Sequence, residues 1–463
     1  MTVDPSATSG TDGHAGPVVL PLVDGPLQPR HTLASTTHTL LSFTALCLRI
    51  PFHLVWHYIL YRRKSPYVQD LGRWWFHEPA VMLFRMLFSR TYIRPSRPFF
   101  RVALPSKYVG KMEDVAGTRG TWVLPPGTKG ERKDDDLVML WSTAAGGGFI
   151  IDTGVACQDF HVALAKDMEN RGVRFSIFMV DYRELASSPL YLAPENIYPS
   201  QPIECLAAYH YLVNDLDIPP SKICFAGDSA GGNLVMSVLL HLARPNPAFA
   251  LPKSVMLFSP FIDFLSRRPS RIPPYPRDYT DSGGVFHGVL HYLGLTAPFP
   301  PELAGWRHPP YWDLLSFFSG ENSAEHPPEE VRVEKLRERV EEAEGGKRGL
   351  GLLANPYVSP STEVVTDRSW YREALPGKGQ TFVSWGGKEI FADDIEDFAN
   401  VLDEAGVAPH KLVKPLGTHD WPLFDTMLPI TARDRLGGEQ SQSGYAVRKI
   451  SEWLVERVKE KKE

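Results

Sequence analysis

The chain reads as an α/β protein, a mostly parallel central sheet with helices on both faces, and two patterns carry that reading. Six short apolar runs, at 137–141, 174–181, 222–226, 253–258, 380–385 and 411–415, are separated by stretches with helical periodicity. Buried strands that alternate with helices assemble as a parallel sheet covered on both sides. The third of these runs passes at once into a helical pattern through the turn Gly227-Asp228-Ser229-Ala230-Gly231. With 463 residues, 43% of them apolar, the chain has ample material for a core, and α/β architectures of this length often form one domain.

Three segments precede or build that domain. Residues 1–30 are rich in Thr, Gly, Asp, Pro and Ser without apolar periodicity, and are expected to be disordered. No basic start precedes an apolar core there, so a secretory signal is not expected. Residues 31–99 read as an apolar helical arm. Its stretch 33–61 is interrupted by Arg49, Pro51, His53 and His57 and followed by Arg62-Arg63-Lys64, and a second apolar run from Ala80 to Phe88 holds Arg85. A central arginine costs about 2.5–3.5 kcal/mol on insertion scales. Three roles stay open for the arm: an in-plane or hairpin membrane anchor, a single transmembrane helix with its basic flank in the cytosol, or helices that cap the main domain and line its pocket. The expected location is membrane-associated and intracellular, the endoplasmic reticulum included, and otherwise cytoplasmic. The main domain is expected to span 100–463, with a cap insertion at about 262–355.

Within the main domain, Ile223-Cys224-Phe225-Ala226 is the strand, the Gly-Asp-Ser-Ala-Gly segment the turn, and Leu234, Val235, Val238 and Leu239 mark the helix. A serine on a sharp strand-to-helix turn is lifted above the sheet edge, with glycines clearing space for the backbone. That makes Ser229 a candidate nucleophile. Upstream, Leu137–Trp141 leads into Ser142-Thr143-Ala144-Ala145-Gly146-Gly147-Gly148-Phe149. Consecutive glycines let backbone N–H groups turn inward, where they can stabilise negative charge on a former carbonyl oxygen. Gly146 and Gly147, with Ala230 after the serine, are the candidate oxyanion donors.

Downstream, the strand ending at Trp385 is followed by Gly386-Gly387-Lys388-Glu389-Ile390-Phe391 and then an amphipathic helix from about Asp393 to Ala405, closed by Gly406. Glu389 lies in the loop past a strand end, where an acid that orients a histidine belongs. Asp393 and Asp394 compete with it, but their places match the cap and first turn of the helix. After the last strand comes Leu416-Gly417-Thr418-His419-Asp420-Trp421. His419 is the candidate general base, and Asp420, adjacent to it in sequence, reads as structural. The chain order Ser229, Glu389, His419 is the order of nucleophile, acid and base in one class of serine hydrolase.

These segments together resemble the hormone-sensitive-lipase-like branch of the α/β-hydrolases, whose fungal members include steryl-acetate deacetylases and related esterases. Val180-Asp181-Tyr182-Arg183 with Ala193-Pro194-Glu195 is similar to that branch's D-Y-R-x-A-P-E segment, stretched by an insertion. The resemblance covers roughly 100–462. It implies an α/β-hydrolase fold with a helical cap, Ser229 as nucleophile, Glu389 as acid, His419 as base, and Gly146, Gly147 and Ala230 as oxyanion donors. It implies no cofactor and no metal, and a small apolar ester as substrate, a sterol acetate or short-chain lipid ester for example. One departure stands out: the branch writes His-Gly-Gly-Gly, and this chain has Ala145 in the place of the histidine. Since the donors are backbone groups, the hole survives that loss. Ala145 nonetheless motivates a rival reading as a non-catalytic membrane-associated binding protein. An amide or thioester hydrolase using the same three residues is a second rival.

Other classes fit less well. The formal net charge is −5, from 49 basic and 54 acidic residues, and no Lys/Arg stripe with interleaved aromatics points to nucleic acid. Cys47, Cys157, Cys205 and Cys224 have no metal-type or disulfide-framework spacing. Cys224 falls in a strand and is expected to be a small core residue. His53, His57, His161 and His210 do not cluster as ligands. Inside the cap insertion, Tyr275, Phe286, Tyr292, Trp306, Tyr311, Trp312, Phe317 and Phe318 are expected to form the cap's own core, and residues 328–344 a charged helix stopped by Gly345-Gly346.

Overall fold

The structure, a computed structural model, describes residues 106–460 apart from the stretches 143–147, 150–157, 183–197 and 245–249, most of 272–349, and a few single positions. The tail 1–30, the arm 31–99, the charged segment 328–344 and most of the cap insertion therefore lie outside the described residues.

Eight strands form one sheet among the described residues. They are β1 (Val109–Val115), β2 (Thr118–Val123), β3 (Leu137–Ser142), β4 (Phe175–Val180), β5 (Ile223–Asp228), β6 (Ser254–Phe258), β7 (Thr381–Gly386) and β8 (His410–Lys414). Their spatial order is β1-β2-β4-β3-β5-β6-β7-β8. From β4 to β8 every pairing is parallel. The six expected strands are present to within a residue or two. The β1–β2 hairpin, which joins the sheet antiparallel at one edge, was not expected. It carries Lys111, Glu113, Asp114 and Arg119, and the described side chains of β1 are half-buried or exposed along its length, as suits a charged edge strand.

Period-two alternation along the buried strands divides the core into two layers. On β3, Leu137, Met139 and Trp141 face one layer, and Val138 and Leu140 the other. On β5, Cys224 and Ala226 face the first layer, and Ile223 and Phe225 the second. The first layer is covered by α1 (Gln158–Asn170) and α7 (Tyr445–Lys459), the second by α2 (Ser200–His210), α3 (Ala230–Ala243) and α5 (Ala392–Glu404). Short helix α4 (Arg368–Ala374) adds Tyr371 and Ala374 to the second layer, and α6 (Trp421–Met427) adds Trp421 and Leu423 to the first. Helix α3 is buried on every side from Ala230 to Leu242, including the polar stripe Asn233, Ser237 and His241. Helix α5 is amphipathic, with Ile395, Phe398, Ala399 and Leu402 inward. Gly406, in the left-handed conformation, ends α5, and the N–H of Val407 bonds back to Leu402.

Because β3 to β8 run parallel, their carboxyl ends share one edge of the sheet. In open α/β sheets ligands bind at that edge, and it holds the loops after β5, β6, β7 and β8. At the end of β8 the ammonium of Lys414 is buried. It lies 2.6 Å from Asp425 on α6, donates to the Ala432 carbonyl at 2.9 Å, and stands 5.5 Å from the Trp421 ring. This pair fixes α6, and so the loop before it, against the sheet. Asp425→Ala, which strands a buried cation, is expected to lower the unfolding free energy by about 3–5 kcal/mol, and an apolar Lys414→Met/Asp425→Leu pair by far less. Urea unfolding of the two variants checks both.

Candidate active site

The site is built first by the turn between β5 and α3. Ser229 takes φ 51 and ψ −119, a conformation that a residue with a side chain adopts only when its surroundings impose it. Its N–H donates to the Phe258 carbonyl at 2.8 Å, and its carbonyl accepts from Phe261 at 2.9 Å and from Asn233 at 3.2 Å. The flanking glycines are needed for close approach. A Cβ on Gly227 would stand 2.5 Å from the Gly231 carbonyl oxygen, and one on Gly231 would stand 2.2 Å from that of Ser142. The turn is therefore locked between β3, β6 and the first turn of α3. Ala230, the first residue of α3, turns its N–H toward the helix N-terminus, where partial positive charge collects.

The loops after β7 and β8 lie against each other. The N–H of Gly387 donates to the Lys414 carbonyl and that of Lys388 to Gly417, both at 2.9 Å. A Cβ on Gly386 would meet the Gly417 carbonyl oxygen at 2.3 Å, and one on Gly387 that of Pro415 at 2.5 Å. The paired glycines thus let the acid-bearing loop sit directly on the histidine loop.

This packing brings Ser229, His419 and Glu389 together. The His419 Nε2 is 2.8 Å from the Ser229 Oγ, and its Nδ1 is 3.8 Å from the Glu389 Oε2. All three side chains are buried. The Glu389 Oε2 accepts hydrogen bonds from the Ser259 hydroxyl at 2.6 Å and from the Gly386 N–H at 3.2 Å. Asp393 and Asp394 point elsewhere. Asp393 accepts from the Ser270 N–H at 2.7 Å, and Asp394 pairs with Arg271 at 2.7 Å. Both are first-turn acids of α5. Gly146 and Gly147 lie outside the described residues, as do Ala145 and the 193–195 segment. The described residues that follow the glycines are firmly placed: Gly148 and Phe149 have positive φ, and the buried Phe149 ring stacks on Tyr292 at 3.9 Å.

Asp420 has more to do than its sequence position suggests. Its carboxylate Oδ2 reaches within 3.3 Å of the His419 Nε2, on the serine side of the ring, and its N–H donates to the Ser259 hydroxyl at 2.9 Å. Ser259 thereby links the acid to the histidine loop. Phe391 sets its ring edge to face against His419 at 4.9 Å and stacks on Phe261 at 4.7 Å. The buried Arg271 guanidinium lies 4.4 Å from the Phe391 ring. Ser259, Arg271 and Asp278 were not singled out from the sequence. Only Ser259 carried a signal, its place in the Phe258-Ser259-Pro260-Phe261 segment at a strand end.

Burial governs the charges here, because removing water disfavours the charged form of every group. It pushes the Glu389 carboxyl up to about 8, against the hydrogen bonds from Ser259 and Gly386 that hold it down. It draws the His419 imidazole down to about 4, against the attraction of the Asp278 carboxylate. Asp228 is raised to about 7 by burial, opposed by the Trp141 indole that donates to it at 3.1 Å. Asp420 moves upward for the same cause, reinforced by neighbouring carboxylates. The resting site therefore holds a neutral imidazole whose Nε2 can take a proton from the adjacent hydroxyl.

Residues 144–286 match the family described as alpha/beta hydrolase fold. The chain is 38% identical over 101 residues to the hormone-sensitive lipase of Mus musculus, covering 21% of this chain and 12% of that lipase. It is 32% identical over 160 residues to Lipase 2 of Moraxella sp. (strain TA144), covering 32% of this chain and 33% of that lipase. The chain thus spans a third or less of the length of these two relatives. The crystal structure of an esterase from the bacterial hormone-sensitive lipase family superposes with a TM-score of 0.52 at 20% identity, over 82% of this chain and 97% of that one. The sequence similarity supports the hormone-sensitive-lipase-like branch of the α/β-hydrolases, and the structural similarity shows the fold.

The close approach at Gly231 has a direct consequence. Gly231→Ala places a methyl group against the backbone of β3 and is expected to cost at least about 2 kcal/mol of stability. Thermal and urea unfolding measure it, and Gly406→Ala, a glycine with open space around it but a positive φ, gives the comparison for backbone strain alone.

Proposed function

We propose that this protein hydrolyses carboxylic esters, with Ser229 as nucleophile, His419 as general base and acid, and Glu389 as the carboxylate that steadies the imidazolium. The observation that carries the proposal is the 2.8 Å contact between the His419 Nε2 and the Ser229 Oγ on a turn held at φ 51. A hydroxyl is a weak nucleophile until an adjacent base takes its proton as it attacks. In the proposed reaction the Ser229 Oγ adds to the ester carbonyl while His419 accepts that proton. The negative charge that develops on the carbonyl oxygen rests on the N–H of Ala230 and on those of Gly146 and Gly147. His419 then gives the proton to the departing alcohol, and water repeats the sequence on the acyl-serine. The positive charge on His419 draws the Glu389 carboxylate across the 3.8 Å that separates it from Nδ1; such contacts are often long before substrate binds.

The substrate proposed is a small apolar ester with a short acyl group, of the sterol-acetate or lipid-ester kind. Apolar rings pack next to the reacting groups: Phe391 lies 4.9 Å from the His419 ring, and Phe149, Phe261 and Phe264 belong to the same buried cluster. The apolar stretch 33–61 supports membrane association as part of the same proposal. Among the described residues no helix is long and apolar enough to cross a membrane.

Hydrolysis of p-nitrophenyl acetate tests the reading. Ser229→Ala and His419→Ala are each expected to lower kcat by roughly 10⁴-fold or more, and Glu389→Gln by roughly 10²–10⁴-fold. Full turnover by Ser229→Ala would sink the assignment. The pH profile gives a separate check. The base must be unprotonated to act, and burial lowers the imidazole, so the protonated, inactive form appears only at lower pH. The active form also needs Glu389 ionised, and burial raises that carboxyl to about 8, so the acidic limb of kcat/KM belongs to the His419–Glu389 pair. Glu389→Gln leaves only the lowered imidazole to titrate and is expected to move the limb to lower pH; a limb that does not move contradicts it.

A further inference from the structure

The backbone around the acid and the histidine is tied to one buried carboxylate that the reaction scheme does not use. Asp278 lies in the excursion between β6 and β7, past Arg271. Its Oδ1 accepts from the N–H of His419 at 3.0 Å, its Oδ2 from the N–H of Ile390 at 3.0 Å, and Oδ2 also from the Thr280 hydroxyl at 2.6 Å. The side chain is fully buried. The two N–H groups belong to different loops. One is that of the histidine itself, and the other that of the residue directly after Glu389.

We infer that Asp278 is a positioning residue for the proposed hydrolysis, a single carboxylate that holds the acid loop and the histidine loop in register and lends negative charge to the imidazolium. The inference rests on the ester-hydrolase reading. A neutral side chain could accept from one N–H, but two converging donors on one carboxyl group call for both oxygens as acceptors, and hydrogen bonds to a charged acceptor are about twice as strong as neutral ones. Positioning matters here because a misplacement of about 1 Å can cost roughly 10²-fold in rate. Since Asp278 comes from the excursion that leads to the expected cap, the setting of that excursion is coupled to the alignment of the reacting groups.

Several charged groups face His419. Glu389 approaches Nδ1 from the β7 loop, and Asp420 approaches Nε2 from the same loop as the imidazole. Asp278 lies on the backbone side and favours the charged ring, and Arg271 disfavours it. Asp228, beside Ser229, acts on Asp420. Of these, Asp278 opposes the effect of burial on the imidazole, so its loss leaves the proton held less tightly.

Asp278→Asn supplies the test. The amide keeps the shape but turns an N–H₂ toward one of the two backbone donors and removes the charge. With p-nitrophenyl acetate, kcat is expected to fall about 10- to 100-fold with KM within about twofold. The acidic limb of kcat/KM is expected to shift to lower pH. A residue that merely supports the fold would lower the amount of active protein and leave that limb in place. Wild-type-like kcat together with an unmoved limb overturns the inference while leaving the hydrolase reading intact. A wild type that turns over no ester overturns both. Should Asp278→Asn not fold, Thr280→Val, which removes one donor to the same carboxylate, is expected to lower kcat about two- to fivefold at constant KM. An unchanged kcat in that variant overturns the inference as well.

Discussion

The left-handed backbone at Ser229 is the constraint to which the rest of the site answers. A serine at φ 51 is tolerated because β3, β6 and α3 close on it from three sides. That closure demands bare backbone at Gly227 and Gly231, since any side chain there would enter a neighbouring carbonyl. The hydroxyl is consequently presented at the carboxyl edge of the sheet, at the mouth of a helix, and in a fixed direction. Local strain of this kind persists only where the surrounding structure over-determines it, and the fully buried strands β3, β5 and β6 supply that support.

The second loop pair is arranged by the same means. Gly386 and Gly387 permit a backbone-to-backbone stack that sets Glu389 behind His419. Ser259, itself at positive φ, bonds to the acid on one side and to Asp420 on the other. Arg271 is held by Asp394 beneath the Phe261–Phe391 pair and steadies the floor of the site. In so dry an environment each charge costs heavily unless it is met by a partner. Of the clustered carboxylates, Asp278 meets donors on both oxygens, whereas Asp228, Glu389 and Asp420 each leave one buried oxygen without a hydrogen bond among the described residues, and burial raises all three.

The sequence revealed these features unevenly, and the unevenness has physical causes. The six core strands and the helix 392–404 were visible because burial on both faces writes long apolar runs, and amphipathic packing writes a 3.6-residue period. The β1–β2 hairpin was hidden because an edge strand facing water carries charge in place of apolar residues. Ser229, Glu389 and His419 stood at strand ends in a fixed chain order, so motif and topology pointed to the same loops. Asp278 and Arg271 gave no such sign. Their meaning arises from contacts with residues over 100 positions away in the chain. Asp420 was read as a structural neighbour of the histidine, because adjacency in sequence does not reveal that its backbone turns left-handed, at φ 50, and brings the carboxylate back to the ring.

The direct question is whether the Ser229 hydroxyl is the activated nucleophile of a folded site. Treating the full chain with a fluorophosphonate and mapping the adduct by peptide mass spectrometry answers it at single-residue level. One stoichiometric adduct is expected on the peptide containing Ser229, formed fastest when His419 is neutral. Folded protein that stays unlabelled, or that is modified at another serine, contradicts it.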